Sequence, residues 1–138
     1  MISITQKTLQ DLEFNTVLET IASRCNTDIG ETKALAITPF KNKEELLINL
    51  KQTSEYLSSF SNNNAIPNHG FENINYELKF LAIEDSFLEV GSFKKIGTLS
   101  ETAITLIQFL KKFEDYYPNL YQKASQIDIV KLILQRID

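Results

Sequence analysis

The side chains able to do chemistry are few and scattered. The 138-residue chain carries one histidine, His69, and one cysteine, Cys25. They lie 44 positions apart and lack the closely spaced further ligands that a zinc site needs. His69 sits in the run 61–70, SNNNAIPNHG, between Asn68 and Gly70, and reads as a turn residue. General-base work would require a nucleophile or an orienting carboxylate beside it, and the neighbouring sequence supplies neither. Cys25 falls on an apolar helical face, where a free thiol behaves as a small hydrophobe. Glu84, Asp85 and Glu89 cluster, but acids at a helix end are usually solvated, or placed where the next helix dipole favours them. The two basic doublets, Lys94-Lys95 and Lys111-Lys112, are the candidates for contact with nucleic-acid phosphates. Their alternative reading is a solvated face and a last helical turn whose cations complement the dipole.

Reaction-specific motifs are missing: GxxxxGK[ST], GxGxxG, GxSxG, HExxH and CxxC do not occur. No catalytic, metal or cofactor-binding residue is therefore assigned to these 138 residues. Basic residues number 14 against 18 acidic ones, a net charge of −4. An autonomous nucleic-acid binder carries a basic surface, so strong DNA binding by this piece alone is not expected. No apolar run approaches the ~20 residues of a membrane span, and the N-terminus lacks a signal peptide's apolar core. The expected location is cytoplasmic, with no membrane partner.

The elements that must hold these residues are helical. Four glycines and three prolines are few for a turn-rich sandwich and suit an all-α domain. In the stretch 12–39, Phe14, Val17, Leu18, Ile21, Ala22 and Cys25 fall on one helical face, with Asn15 placed to cap. A charge at Ile21 on that face is expected to unfold the piece. Asp28 and Glu31 resemble a capping box for a second helix, which Thr38-Pro39 ends. Residues 1–11 read as an extended lead-in. Asn42 can cap a third helix reaching Phe60, with Leu46, Leu47, Leu50, Leu57 and Phe60 inward. Lys43, Glu44, Asn49, Lys51, Gln52 and Glu55 are assigned outward. Residues 71–84 predict a fourth helix, with Ile74, Leu78, Leu81 and Ala82 on one side. The fifth and longest, 91–113, carries Ile96, Leu99, Ala103, Leu106, Leu110 and Phe113 at alternating spacings of three and four, the seam of a packed helix. Phe93 and Ile107 widen that face. A last apolar-periodic segment, Ile127 to Ile137, runs to Asp138 without a cap, and the chain is expected to continue past it. The fold expected is an all-α bundle of about five or six helices around one long central helix, residues 1–138 forming a single domain.

Taken in order, several landmarks resemble the N-terminal region of the MutS family of mismatch-repair ATPases. The branch most similar is MutS-two, which begins without the mismatch-reading and connector domains. The residues that carry the likeness are Leu12-Glu13-Phe14, Gly30, Ala34-Leu35 and Pro39, then Thr53-Ser54-Glu55, Ile66-Pro67 and Gly70-Phe71. Ile74, Leu78 and Leu88-Glu89-Val90 follow, and the closing ASQIDIVKLILQRID resembles the approach to the lever helices. The resemblance implies an N-terminal piece of the helical core that joins an ATPase to DNA-embracing levers. It implies ATP and Mg, a nuclease domain, a homodimer, and DNA and ribosomes as partners, all for the longer protein. This piece is then structural and not itself an enzyme. Two readings compete with it: a stand-alone helical protein-interaction module, and a small helical enzyme centred on His69.

Overall fold

The computed structural model describes residues 4–127, in which seven helices and no strand occur. The all-α expectation holds, including one long helix. The chain divides into two compact units, 1–41 and 42–138.

The first unit holds α1 (Gln6–Asp11), α2 (Phe14–Ala22) and α3 (Asp28–Leu35). The lead-in expected to be extended contains α1, because the Thr5 hydroxyl accepts the Thr8 N–H and starts a turn. Asn15 does not cap α2. Glu13 stands at that position in the left-handed region, φ 51°, with no side-chain cap, and the helix has begun before Asn15 is reached. On α2, Leu18 and Ala22 are buried and Phe14 half-buried; the helix stops at Ala22, short of Cys25, which is half-buried just beyond it. Ile21 is 42% exposed, so the expectation that a charge there unfolds the piece is withdrawn. The buried stripe runs at i, i+4, i+8 and i+11, narrower than the face read from the sequence, and α2 packs on α3. The cap of α3 is Thr27, one residue before the expected Asp28, accepting the Gly30 N–H at 3.0 Å. Asp28 and Glu31 sit in the first turn, where the dipole favours acids. The helix ends at Leu35, ahead of Thr38-Pro39.

The second unit holds α4 (Lys43–Ser58), α5 (Asn75–Leu81), α6 (Val90–Lys112) and α7 (Pro118–Ala124). Asn42 caps α4 as expected, its side-chain oxygen accepting the Glu44 N–H at 2.8 Å. Lys43, Glu44 and Lys51 on α4 are exposed as read, but the rest of its facing is the reverse of the sequence reading. Leu46, Leu47, Leu50, Leu57 and Phe60 are exposed, whereas Asn49, Gln52, Glu55, Tyr56 and Ser59 form the covered face. Hydrogen bonding decides this, since Glu55 and Tyr56 bind backbone and side-chain partners more than ten residues away. The fourth helix is shorter than 71–84, with Leu78 and Leu81 exposed and Glu77 the buried residue.

On α6, Ile96 and Leu110 are buried and Leu99, Ala103, Leu106 and Phe113 half-buried, so its seam faces inward as read. Ile107 joins the packed side, but Phe93 is exposed. Pro118 opens α7 at a position where its missing N–H costs nothing. Leu110, Tyr117 and Ala124 form a core cluster, supported by Ile66 from the loop before α5. The last apolar segment lies outside the described residues beyond Ile127.

Candidate nucleic-acid interface

The four lysines singled out by sequence all belong to α6, at its two ends. Seventeen residues separate Lys95 from Lys112, about 25 Å along the axis at 1.5 Å per residue. Lys94 and Lys112, eighteen apart and so five turns, share a face with Thr98, Glu101, Thr105 and Gln108, all exposed. That face is polar but not strongly basic, because Glu101 stands between its lysines.

Lys95 is occupied. Its Nζ lies 3.0 Å from Glu72 Oε2 and 3.7 Å from Glu77 Oε1. The hydrogen bond and charge of Glu72, then the charge of Glu77, raise its pKa above the usual lysine value, with desolvation opposing them. Glu77 is only 4% exposed and its other oxygen, Oε2, has no hydrogen-bond partner. Lys95 is thus the cation that allows a carboxylate to be buried beside α6. Lys94 borders the same place, a cleft of about 210 Å³ lined also by Glu72, Gly91 and Thr98. At the other end, the Lys112 ammonium sits 5.2 Å from the Phe113 ring centroid, a cation–π distance. Lys111 is exposed in the last turn.

The remaining candidates do not converge. His69 donates from Nδ1 to the Pro67 carbonyl at 3.0 Å and accepts the Tyr56 hydroxyl at Nε2, 3.3 Å away. Both ring nitrogens are therefore used, Nδ1 within the loop and Nε2 in fixing the loop to α4. The Cys25 thiol, three residues past the end of α2, reaches back to the Ile21 carbonyl at 3.5 Å. Among the described residues no group of three His, Cys, Asp or Glu side chains could hold a metal ion. No described helix is long and apolar enough to cross a membrane.

Two polar ties escaped the sequence reading. The Glu55 carboxylate accepts the backbone N–H groups of Asn119, at 3.0 Å, and Leu120, at 2.9 Å. The Asn119 side-chain amide donates to it as well. Tyr117, fully buried, donates its hydroxyl to the Asn64 carbonyl and receives the Asn62 amide at 3.1 Å. The asparagine run 62–64 was the available signal, since asparagine side chains substitute for backbone partners in turns. Glu55 had none, because an outward glutamate on an amphipathic helix looks ordinary.

No protein-family model matches the chain. Two curated proteins do. "Endonuclease MutS2" of Alkaliphilus oremlandii (strain OhILAs) is 26% identical over 135 residues, covering 96% of this chain and 17% of that protein. "Endonuclease MutS2" of Clostridium beijerinckii (strain ATCC 51743 / NCIMB 8052) is 25% identical over 135 residues, with the same shares. The chain thus spans about a sixth of the length of the relatives it matches. Nearly all of it is similar to one stretch of these much larger proteins. No solved structure matches.

Proposed function

We propose that this chain is a scaffolding piece of the helical core of a MutS-like DNA-repair protein of the MutS-two branch. The observation that carries this reading is a likeness extending over 96% of the chain at a consistent 25–26% identity. The landmarks of the resemblance also coincide with residues that hold the helices. Gly30 donates its N–H to the cap of α3, Glu55 binds the start of α7, and Ile66 packs on the Leu110 cluster. A domain that transmits movement must not yield, and fixed helix contacts of this kind supply stiffness. In the longer protein, ATP with Mg drives lever movement on branched or mismatched DNA and restrains recombination. Nuclease action, a homodimer and ribosome contact belong to the same proposal and to residues outside this chain. For this chain the work is support; of the four lysines put forward for phosphate contact, Lys94, Lys111 and Lys112 make no ion pair among the described residues, whereas Lys95 is held by Glu72 and Glu77.

The test compares these 138 residues with the longer protein on branched duplexes across a salt series. The fragment is expected to bind weakly and with a shallow salt slope, while the longer protein binds tightly. Tight, steeply salt-dependent binding by the fragment would contradict the support role, because such a slope counts released phosphate counterions. The second reading, a stand-alone interaction module, is favoured by one observation, the exposed leucine face of α4.

A further inference from the structure

We propose that residues 71–88 form an arm that opens and closes against the start of α6 as a unit, with the Lys95 ammonium as the condition for closing. The segment comprises α5 and its two flanks. Among the described residues, its backbone and hydroxyl hydrogen bonds end inside the segment. The Asn75 N–H meets the Asn73 side chain, the Leu78 N–H the Ile74 carbonyl and the Ile83 N–H the Phe80 carbonyl. The Ser86 hydroxyl donates to the Phe80 carbonyl at 2.6 Å. The polar ties that leave the arm are the carboxylates of Glu72 and Glu77, and both go to Lys95 Nζ.

The apolar hold on the arm is thin. Within this unit α4 packs along α7 and α6 along α7, and α5 belongs to neither pair. Phe71, Ile74, Phe80 and Leu88 are half-buried, whereas Leu78 is 52% exposed, Leu81 50% and Phe87 83%. The one buried side chain of the segment is the Glu77 carboxylate. Closing the arm therefore takes an anion out of water, which is costly unless a cation goes with it. Lys95 is that cation, 3.7 Å from Glu77 Oε1, and the exposed Glu72 holds the same ammonium at 3.0 Å from the solvent side. Segments with few buried apolar contacts lie at the low-stability end of a fold and open ahead of its core. Opening returns the Lys95 ammonium to water beside Lys94, so the arm decides whether one or two unpaired cations stand at the start of α6. The ties that carry the support role, at Gly30, Glu55 and Ile66, lie outside the arm and stay closed when it opens.

The experiment is native-state hydrogen exchange of the 138-residue chain across a urea series below global unfolding, read amide by amide. Amides at 78–83 should be at least about tenfold less protected than those at 99–109, and their exchange should depend less on urea, because a small opening exposes little surface. Lys95→Met should quicken exchange at 78–83 by at least about tenfold more, since closing then buries an unpaired carboxylate. Combining Lys95→Met with Glu77→Gln should return 78–83 close to the parent rate, and this pair stays readable where the single variant fails to fold. Ile107→Ala loosens the Leu110 cluster, twelve positions along α6 from Lys95. It should quicken 99–109 and leave 78–83 unchanged, because the open and closed arm share that cluster equally. Protection and urea dependence at 78–83 equal to those of α6 would overturn the proposal. So would indifference of 78–83 to Lys95→Met, no recovery in the double variant, or quickening at 78–83 in step with Ile107→Ala.

Discussion

The Glu55 carboxylate on α4 closes the first turn of α7, accepting the Leu120 backbone N–H at 2.9 Å from 65 positions away. The first amides of any helix lack helical partners, and α7 has no side-chain cap of its own. Glu55 supplies the missing acceptor, and its negative charge suits the positive end of the helix. Because it comes from a different helix, the bond is at once a cap and a tertiary contact.

Glu55→Ala should therefore cost about 2 kcal/mol, the upper range for a lost cap, because it also leaves part-buried amides unpaired. Glu55→Gln retains one oxygen acceptor and should cost roughly half as much. Urea midpoints for the two variants check the order, and equal losses would show that packing, not the acceptor, matters at this position.

The second tie makes a similar claim about the loop before α5. Tyr117 is fully buried, and its hydroxyl meets the Asn64 carbonyl and the Asn62 amide. Tyr117→Phe keeps the ring in the Leu110 cluster and strands both loop groups, for a loss of about 1–2 kcal/mol. Amide exchange should quicken at residues 62–66 more than along α6. Uniform quickening would mean that the hydroxyl supports the whole unit and not the loop.

Lys95 allows a pH prediction whose sign is fixed. Its folded pKa lies above the unfolded value, so the stabilisation it gives is complete below about 10.5 and is lost as pH rises through the raised value. Thermal stability followed from pH 8 to 11.5 should fall at the alkaline end, and Lys95→Met should flatten that fall. Lys95→Met should also destabilise at neutral pH, because Glu77 is then buried with no cation beside it. Adding Glu77→Gln should restore most of the loss, an outcome that a purely packing role for the lysine stem does not produce.

Periodicity revealed α6 and its inward seam because that helix obeys the simple rule that the apolar side packs. The same rule misplaced α4. There Leu46, Leu50 and Leu57 are exposed while Glu55 and Tyr56 are covered, since long-range hydrogen bonds to α7 and to His69 outweigh the apolar preference within this unit. Such bonds join residues 13 to 65 positions apart, and local pattern carries no information about them. The lysines were legible as charges but not as partners. Glu72 and Glu77 reach Lys95 from some twenty positions earlier, and only the fold brings them together. Among the ordered landmarks, Glu55 and Ile66 make distant ties and Gly30 a local one, to the cap of its own helix.

Gly30 gives the sharpest test of that last point. In a helix, alanine is normally favoured over glycine by about 1 kcal/mol. At this position an added Cβ would lie 3.0 Å from the Thr27 hydroxyl and 3.4 Å from Cys25 Cβ. The hydroxyl is the cap of α3, accepting the N–H of Gly30 itself, so it cannot move aside without lengthening the bond it makes. A lost threonine cap costs about 1 kcal/mol, so the two effects of Gly30→Ala should nearly cancel. Removing the obstruction separates them. In a Thr27→Ala background, where the cap is already gone and only the 3.4 Å approach to Cys25 Cβ remains, Gly30→Ala should stabilise by up to the helix-propensity gain of about 1 kcal/mol. A double-mutant cycle by urea unfolding therefore predicts a coupling of about 1 kcal/mol between positions 27 and 30. Simple additivity, with Gly30→Ala stabilising equally in both backgrounds, would show that the glycine is dispensable and that the cap tolerates a neighbouring methyl group.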